Sequence, residues 1–459
     1  MYQRLWKNMD HLILAAAGAL LLFSLITIGS ATLEYSDPSY LQLKSLSFFW
    51  RLTKLDFTYV IKQLVWIILG LIAFGALISM DYEILIKHSR LLYGINLLLL
   101  LAVIFLGHTA LGAQRWIAIG PFQFQPSEFS KLILIITFAR FLVEREGRLN
   151  TFKELLPCFM FVGLPTLLVL KQPDLGTSLV FVAIMFGMLF MAGARPALLV
   201  TIIGLGFTAG VVLYFSHSYL HHPDVVLEER LAYVNKALEG NLYYVNTDDG
   251  IRQEMLSLHL STDKKADLLK YKQNLEQRHR VWHARHEKFH KYTLKEYQMT
   301  RLTIFVDPES DLLGAGYHVW QSRIAIGSGG IWGKGLLGGT QTHFTFLPIR
   351  HTDFIFSVVG EEFGLMGGVL VLFLFALLLY RGSRVVLVAR DSYGVLLATG
   401  IVCMFAFHVL VNIGMTAGVM PVTGIPLPLF SYGGSNMLMN LAALGLLMNV
   451  YIRRKKLML

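Results

Sequence analysis

A chain of 459 residues with a mean hydropathy of +0.56 and only 15% charged residues lies outside the range of soluble globular proteins. Its net charge of +10 needs no nucleic-acid partner, because cations gathered in short loops and a basic tail suit anionic lipid headgroups. Cys158 and Cys403 both fall in apolar runs, which argues against a disulfide framework.

Taking about 17 to 25 apolar residues per span, the sequence predicts helices near 11–31, 60–80, 91–109, 126–142, 155–171, 174–192, 197–216, 357–380, 393–416 and 434–452. The first follows Arg4 and Lys7 and ends in "GSA", like a signal peptide, but its length and the spans that follow favour an uncleaved helix. With a cytoplasmic amino terminus, the cytoplasmic ends and short loops hold fifteen Lys/Arg (4, 7, 87, 90, 145, 148, 153, 195, 381, 384, 390 and 453–456). The short outer loops hold four, Lys44, Arg51, Lys54 and Arg115. The bias puts both termini in the cytoplasm. The expected class is an all-α polytopic membrane protein of about ten transmembrane helices, with a large extracytoplasmic loop between helices 7 and 8. Residues 1–216 would hold helices 1–7, and residues 357–459 helices 8–10 and the basic tail.

The long loop has two parts. Residues 217–300 carry thirteen Lys/Arg, twelve Asp/Glu and eight of the fifteen His, and read as a charged, partly helical insert. His279, His283, His286 and His290 are spaced to pair on a helix as zinc ligands do. No carboxylate or Cys completes a set, so exposed imidazoles on a charged helix are the favoured reading. Residues 301–356 are rich in Gly and aromatics, as suits tight turns and close backbone approach beside a cavity. "GKGLLG" there matches G-x-G-x-x-G literally but has no βαβ surroundings, and the P-loop pattern fails; Lys334 can still meet a phosphate as a point charge.

Four stretches place polar groups at the outer face. In "AQRWIAIGPFQFQPSEFSK", Arg115 and Trp116 precede a helix starting at Pro126, with Glu128 and Lys131 three residues apart; an ion pair there has to face protein or a wet cavity, as a strut or as part of a site. In "KQPDLGTS", Asp174 stands where a helix N-cap belongs, a structural role to weigh against a functional one. "FLPIRHTDFIF" puts Arg350, His351 and Asp353 against an apolar run, and "PVTGIPLPLFSYGGSNM" is an uncharged hairpin able to wall a groove. All four lie on one side of the membrane, as residues around an outward-open cavity would.

The run from "DPESDLLGAGYHVWQSRIAIGSGG" through "FLPIRHTDF" and "GEEFGLMG", with "GIPLPLFSYGGS", "RWI", "QPSEF" and "QPDLGTS", resembles the SEDS family (shape, elongation, division and sporulation), on its RodA-like side. The resemblance covers most spans. It implies a ten-helix peptidoglycan glycosyltransferase that polymerises lipid II outside the cytoplasmic membrane during cell elongation. Implied partners are a class B penicillin-binding protein transpeptidase and other elongation-complex membrane proteins. The family's essential Asp maps onto Asp353, its Trp onto Trp116, and its Glu/Lys pair onto Glu128 and Lys131. Two features depart from the family: the length of the 217–300 insert, and Ile349 where the pattern has Glu.

On chemistry, Asp353 is the expected general base for a sugar hydroxyl. Arg115, Arg323, Lys334 and Arg350 are the expected cations for a leaving pyrophosphate. His351 either shuttles protons or orients Asp353, and Glu361 or Glu362 stands next in line as base. A divalent cation (Mg or Mn) can share the pyrophosphate charge, but no dedicated ligand set is visible and no cofactor is assigned. The alternatives are a flippase or transporter of lipid-linked precursor, which would hold its charges near mid-bilayer, and a scaffold, which leaves Asp353 without a task.

Overall fold

The computed structural model describes residues 8–33, 47–110, 113–119, 122–239, 248–262, 264–292, 296–307, 316–344 and 346–454. Of the cations used for orientation, Arg4, Lys7, Lys44, Lys455 and Lys456 lie outside the described residues. The chain forms two compact units, one of residues 1–201 with 307–459 and the other of residues 202–306.

In the first unit, α1 (His11–Ala31) is apolar around its whole circumference, as a span must be, and starts where Asp10 accepts from the amides of Leu12 (3.1 Å) and Ile13 (3.3 Å). A short α2 (Phe48–Leu52) leads to α3 (Phe57–Ser79) and α4 (Glu83–Leu106). Next come three short strands, β1 (His108–Ala110), β2 (Ala113–Ile119) and β3 (Phe122–Phe124), paired antiparallel in the order β1-β2-β3. The sequence places His108 and Thr109 at the end of the span expected near 91–109 and Arg115 in a short outer loop; the helix instead ends at Leu106 and strands follow. Their apolar alternation, "RWIAI" and "FQF", is too short to stand out beside the spans. Helices α5 (Pro126–Val143), α6 (Phe152–Lys171) and α7 (Leu175–Met191) follow. Pro126 opens α5 without sacrificing a hydrogen bond, and Thr151 and Glu154 close a capping box on α6.

After the insert the unit resumes with α12 (Tyr317–Ser328), the single turn α13 (Thr340–His343), α14 (Ile355–Val388), α15 (Ser392–Thr416) and α16 (Gly434–Ile452). Eight helices among the described residues are long and apolar enough to cross a membrane. Two of the ten expected spans fall outside that set for visible reasons: α7 has 17 residues, and α5 carries Glu128, Lys131 and Arg140.

Polar contacts mark the two ends of this bundle. At one end, Arg381 Nε donates to Asp10 (2.9 Å), Arg390 reaches Glu83 (3.3 Å), Arg453 reaches Asp81 (3.5 Å), and Asn449 donates to the Met80 carbonyl (2.5 Å). These contacts join the starts of α1, α4 and α15 to the ends of α3, α14 and α16. The other end holds the β-strands, α12, α13 and the hairpin before α16.

The second unit is built on the far part of α8 (Pro196–Leu238), whose 43 residues outrun its apolar span, Pro196–Tyr219. Packed with it are α9 (Asp249–Ser257) and α10 (Lys265–Tyr292), and the unit also holds α11 (Glu296–Val306). Leu227, Val234 and Ala237 from α8 meet Ile251 and Met255 from α9, and Leu268, Tyr271 and Leu275 from α10. Glu254 pins the cluster by accepting from Arg230 (2.5 Å), Tyr271 (3.0 Å) and Arg278. His283 is exposed with the His279 ring 5.5 Å away, but His286 is buried, 5.5 Å from the His217 ring; the expectation that these imidazoles are all exposed is corrected by α10 packing against α8. The side chain of His290 lies outside the described residues.

Candidate active site

The turn carrying Asp353 starts from a strained residue. Ile349 has φ +55°, and a β-branched side chain in the left-handed region costs about 1–2 kcal/mol. Such a conformation persists when neighbours over-determine it. Arg350 Nε donates to the Ala31 carbonyl at the end of α1 (2.6 Å), and the Tyr432 amide donates to the His351 carbonyl (3.0 Å). Ser431 Oγ donates to the Thr352 carbonyl (2.6 Å), and Asn412 Nδ2 to the Asp353 carbonyl (2.9 Å). Asn412 Nδ2 also donates to the Ile425 carbonyl (2.7 Å). The turn is therefore clamped by α1, by α15 and by the Pro/Gly-rich hairpin, and Asp353 is partly exposed. The Asp353 Oδ2 atom lies where a side chain on Gly424 would contact it, at 3.4 Å, so the hairpin also borders the carboxylate.

The His351 ring sits among Tyr59 (5.5 Å) and Tyr432 (5.7 Å). Burial, and secondarily the Arg350 charge, push its pKa below the ordinary value.

Beside this turn, the segment before α13 packs on α14 backbone to backbone. Gly364, at φ +64°, kinks α14 and frees groups that a regular helix would use internally. Lys334 N bonds to the Glu361 carbonyl (3.0 Å), Gly335 N to the Glu362 carbonyl (2.8 Å), and Leu365 N to the Gly330 carbonyl (2.9 Å). A side chain on Gly333 would meet the Glu362 carbonyl at 2.1 Å, so glycine is required there. Here the dense glycines of the sequence find their use.

This packing commits Lys334 and both glutamates. Glu361 is fully buried and accepts from Lys334 Nζ (2.7 Å), Thr342 Oγ1 (2.7 Å), and the amides of Gln341 (2.9 Å) and Thr342 (3.0 Å). Glu362, also fully buried, accepts from Ser30 Oγ (2.6 Å) and contacts His343 Nε2 (2.9 Å). Both are expected from the sequence as reserve bases, but both are sealed from solvent: the two Glu361 oxygens are held by these donors, whereas Glu362 is held through Oε1 and its Oε2 has no partner among the described residues.

The remaining cations differ in availability. Arg115 Nε reaches the Gln172 carbonyl (3.3 Å), a second nitrogen bonds the Pro173 carbonyl, and the third is 3.9 Å from Asp174. Asp174 caps α7 through the Thr177 amide (3.1 Å) and hydroxyl (2.9 Å), so its capping role is observed and an ion pair is added to it. Trp116 lies partly buried in β2, paired across from His108. Arg323 is exposed on α12, its stem against Gly418, with no ion pair among the described residues.

Deeper in the bundle, Lys131 Nζ lies 2.7 Å from Glu128 and 3.0 Å from His408 Nε2, all three buried. An ammonium only donates, so His408 Nε2 accepts and its Nδ1 donates to the Met404 carbonyl at 2.7 Å. Sequence reasoning paired Glu128 with Lys131 and missed His408 and Asn412. Both are polar residues in an apolar span, one helical turn apart, and that was the available signal.

Among the described residues no three His, Cys, Asp or Glu side chains are arranged to hold a metal ion.

The bundle and the polar groups gathered at one end define a polytopic helical membrane protein with a site at its surface. Comparison with known proteins identifies its kind. The cell cycle protein family of FtsW, RodA and SpoVE matches residues 31–238 and 282–456, and the chain belongs to that family. The peptidoglycan glycosyltransferase RodA of Treponema pallidum is 35% identical over 417 residues, spanning 86% of this chain and 90% of its own. MrdB of Escherichia coli K12, also named a peptidoglycan glycosyltransferase, is 32% identical over 408 residues, spanning 89% and 90%. A chain solved in a study of how a peptidoglycan synthase complex coordinates polymerization and crosslinking superposes with TM-score 0.63 at 30% identity, covering 98% of this chain and 99% of that one. Thermus thermophilus RodA superposes at 0.55 with 26% identity over the same shares. The family match leaves out residues 239–281, within the second unit.

Proposed function

We propose that this protein is a peptidoglycan glycosyltransferase that polymerises lipid II into β-1,4-linked glycan at the outer face of the bacterial cytoplasmic membrane during elongation. Family membership and the names of its relatives support the activity. The single observation that carries the site is the clamped turn: four carbonyl or guanidinium contacts fix the backbone around Asp353, a residue that stays partly exposed.

Asp353 is the general base. It takes the proton from the acceptor's 4-hydroxyl as that oxygen attacks the anomeric carbon of the lipid-linked chain. The anomeric bond to the diphosphate breaks, configuration inverts, and the lipid diphosphate leaves with the bonding pair. Arg323 is the first candidate to meet that charge, because it is exposed and unpaired among the described residues. Lys334 shares its charge with Glu361; Arg115 and Arg350 spend guanidinium donors on backbone carbonyls and act first as braces. Trp116 and His351 complete the substrate-facing rim. Residues 301–356 form the catalytic loop and 217–300 an accessory insert. Both termini are cytoplasmic, the two helices α5 and α7 complete a set of ten spans, and a class B penicillin-binding protein crosslinks the product.

The test is purified protein with fluorescent lipid II, wild type beside Asp353→Asn. Polymer from the wild type, with a loss of about 10²-fold or more in the variant and lipid II affinity retained, is the expected outcome. A variant that polymerises at the wild-type rate removes Asp353 from the role. Translocation of lipid II across vesicles without polymer would favour the flippase.

A further inference from the structure

Helix α8 emerges from its apolar span at Tyr219 and continues to Leu238. Helix α10 returns beside it in the opposite direction. Tyr271 and Leu275 pack in one cluster with Leu227 and Val234, the Trp282 ring is 5.7 Å from Tyr219, and the rings of His286 and Phe289 lie 5.5 Å and 6.1 Å from His217. Later residues of α10 thus stand beside earlier residues of α8. At about 1.5 Å per residue, Arg285 and Lys288 come level with the last turn of the span, and Arg280 about one turn further out.

Helix α10 is basic along its whole length, and it stays basic where it reaches this level. The helix holds eight Lys/Arg against three Asp/Glu. Arg280, Arg285 and Lys288 are exposed, and the Arg285 guanidinium lies 5.3 Å over the Trp282 ring. Arg278 is already bound to Glu254 and is left out; Glu287 is the one carboxylate in the stretch. Cations on long stems beside an aromatic, at the depth where hydrocarbon ends, reach phosphate while their stems stay apolar. We propose that the stretch from Arg280 to Phe289 is a binding surface for anionic phospholipid headgroups at the end of the α8 span. It ties the second unit to the bilayer surface and is independent of the polymerase reading.

The experiment uses the full chain in nanodiscs of phosphatidylglycerol and phosphatidylcholine, with bromine near the glycerol end of the acyl chains of one lipid at a time. Trp282 quenching is read as the difference between wild type and Trp282→Phe. Brominated phosphatidylglycerol should quench more than brominated phosphatidylcholine at equal mole fraction, and the preference should shrink as salt rises. Each of Arg280→Gln, Arg285→Gln and Lys288→Gln should lower the preference by about fivefold, from about 1 kcal/mol per cation near an anionic surface. Arg280→Lys with Arg285→Lys keeps the charge and should keep the preference, which separates lost charge from lost fold. Equal quenching by the two lipids overturns the proposal. Absence of quenching by either also overturns it and points to an acidic protein partner.

Discussion

Asn412 is the side chain on which the reading of the site can be tested hardest. Its Nδ2 gives one hydrogen to Asp353 O (2.9 Å) and one to Ile425 O (2.7 Å), while its buried Oδ1 has no partner among the described residues. Asn412→Leu keeps similar bulk and strands two carbonyls, at about 1–3 kcal/mol each, but also removes the stranded oxygen and recovers a comparable amount once. The net expectation is a loss of about 1–3 kcal/mol in stability. Turnover of the protein that remains folded should fall by about 10²-fold, because a base displaced by about 1 Å loses its alignment with the hydroxyl. Asn412→Asp should be worse on both counts, since a carboxylate would face two carbonyl oxygens. The assay is polymer yield from fluorescent lipid II at several substrate concentrations, with thermal unfolding in detergent on the same preparations. A positioning role lowers kcat and leaves KM near wild type. An Asn412→Leu protein that loses stability as expected yet keeps kcat within about twofold would refute the claim that this amide aims Asp353.

Other expectations follow from the geometry. Glu128→Gln or Lys131→Met alone strips one partner from a buried pair and should cost about 3–5 kcal/mol, whereas the double variant should cost less than the sum; additive losses in denaturation of the four proteins would show no coupling. Because His351 has a folded pKa below its ordinary 6.5, the stability it contributes is complete above that pH and lost as pH falls beneath it. His351→Asn should therefore flatten the fall in melting temperature as pH drops below 6.5 relative to wild type, and parallel curves would rule the histidine out as the source. Glu254→Gln should loosen the second unit, seen as faster amide exchange in residues 249–278, while polymer yield stays within about twofold; a collapse of activity would contradict an accessory insert.

The sequence disclosed the spans because each is a long apolar run, and it offered the candidate site residues because they sit at the ends of those runs. The convergence of four polar stretches was legible for the same reason. Three things were not. The start of α4 at Glu83, ahead of the expected 91, hides in "EILIKHSR", whose charges lie at the end of the bundle and cost nothing there. The pairing of Lys334 with Glu361 depends on a kink at Gly364, and no local pattern announces which of the chain's 40 glycines takes a positive φ. His408 and Asn412 belong to a span whose hydropathy masks them, and their partners are 277 and 59 residues away along the chain.

Those two residues also explain why α15 tolerates polar groups in its interior. His408 and Asn412 are four residues apart and so project from one face. On that face, His408 accepts from the buried Lys131 ammonium (3.0 Å), and Asn412 donates to the backbone of Asp353 (2.9 Å). A histidine and an asparagine in lipid would each leave polar groups unsatisfied at a cost of several kcal/mol; in this helix His408 Nε2 and Asn412 Nδ2 find partners from other segments, and the Asn412 Oδ1 atom alone of their polar atoms has none among the described residues. One face of α15 therefore touches both the Glu128–Lys131 pair and the turn that presents the proposed base. A rotation or shift of α15 cannot move one contact and spare the other. The ion pair, though no contact joins it to Asp353 directly among the described residues, is in a position to set where that carboxylate stands.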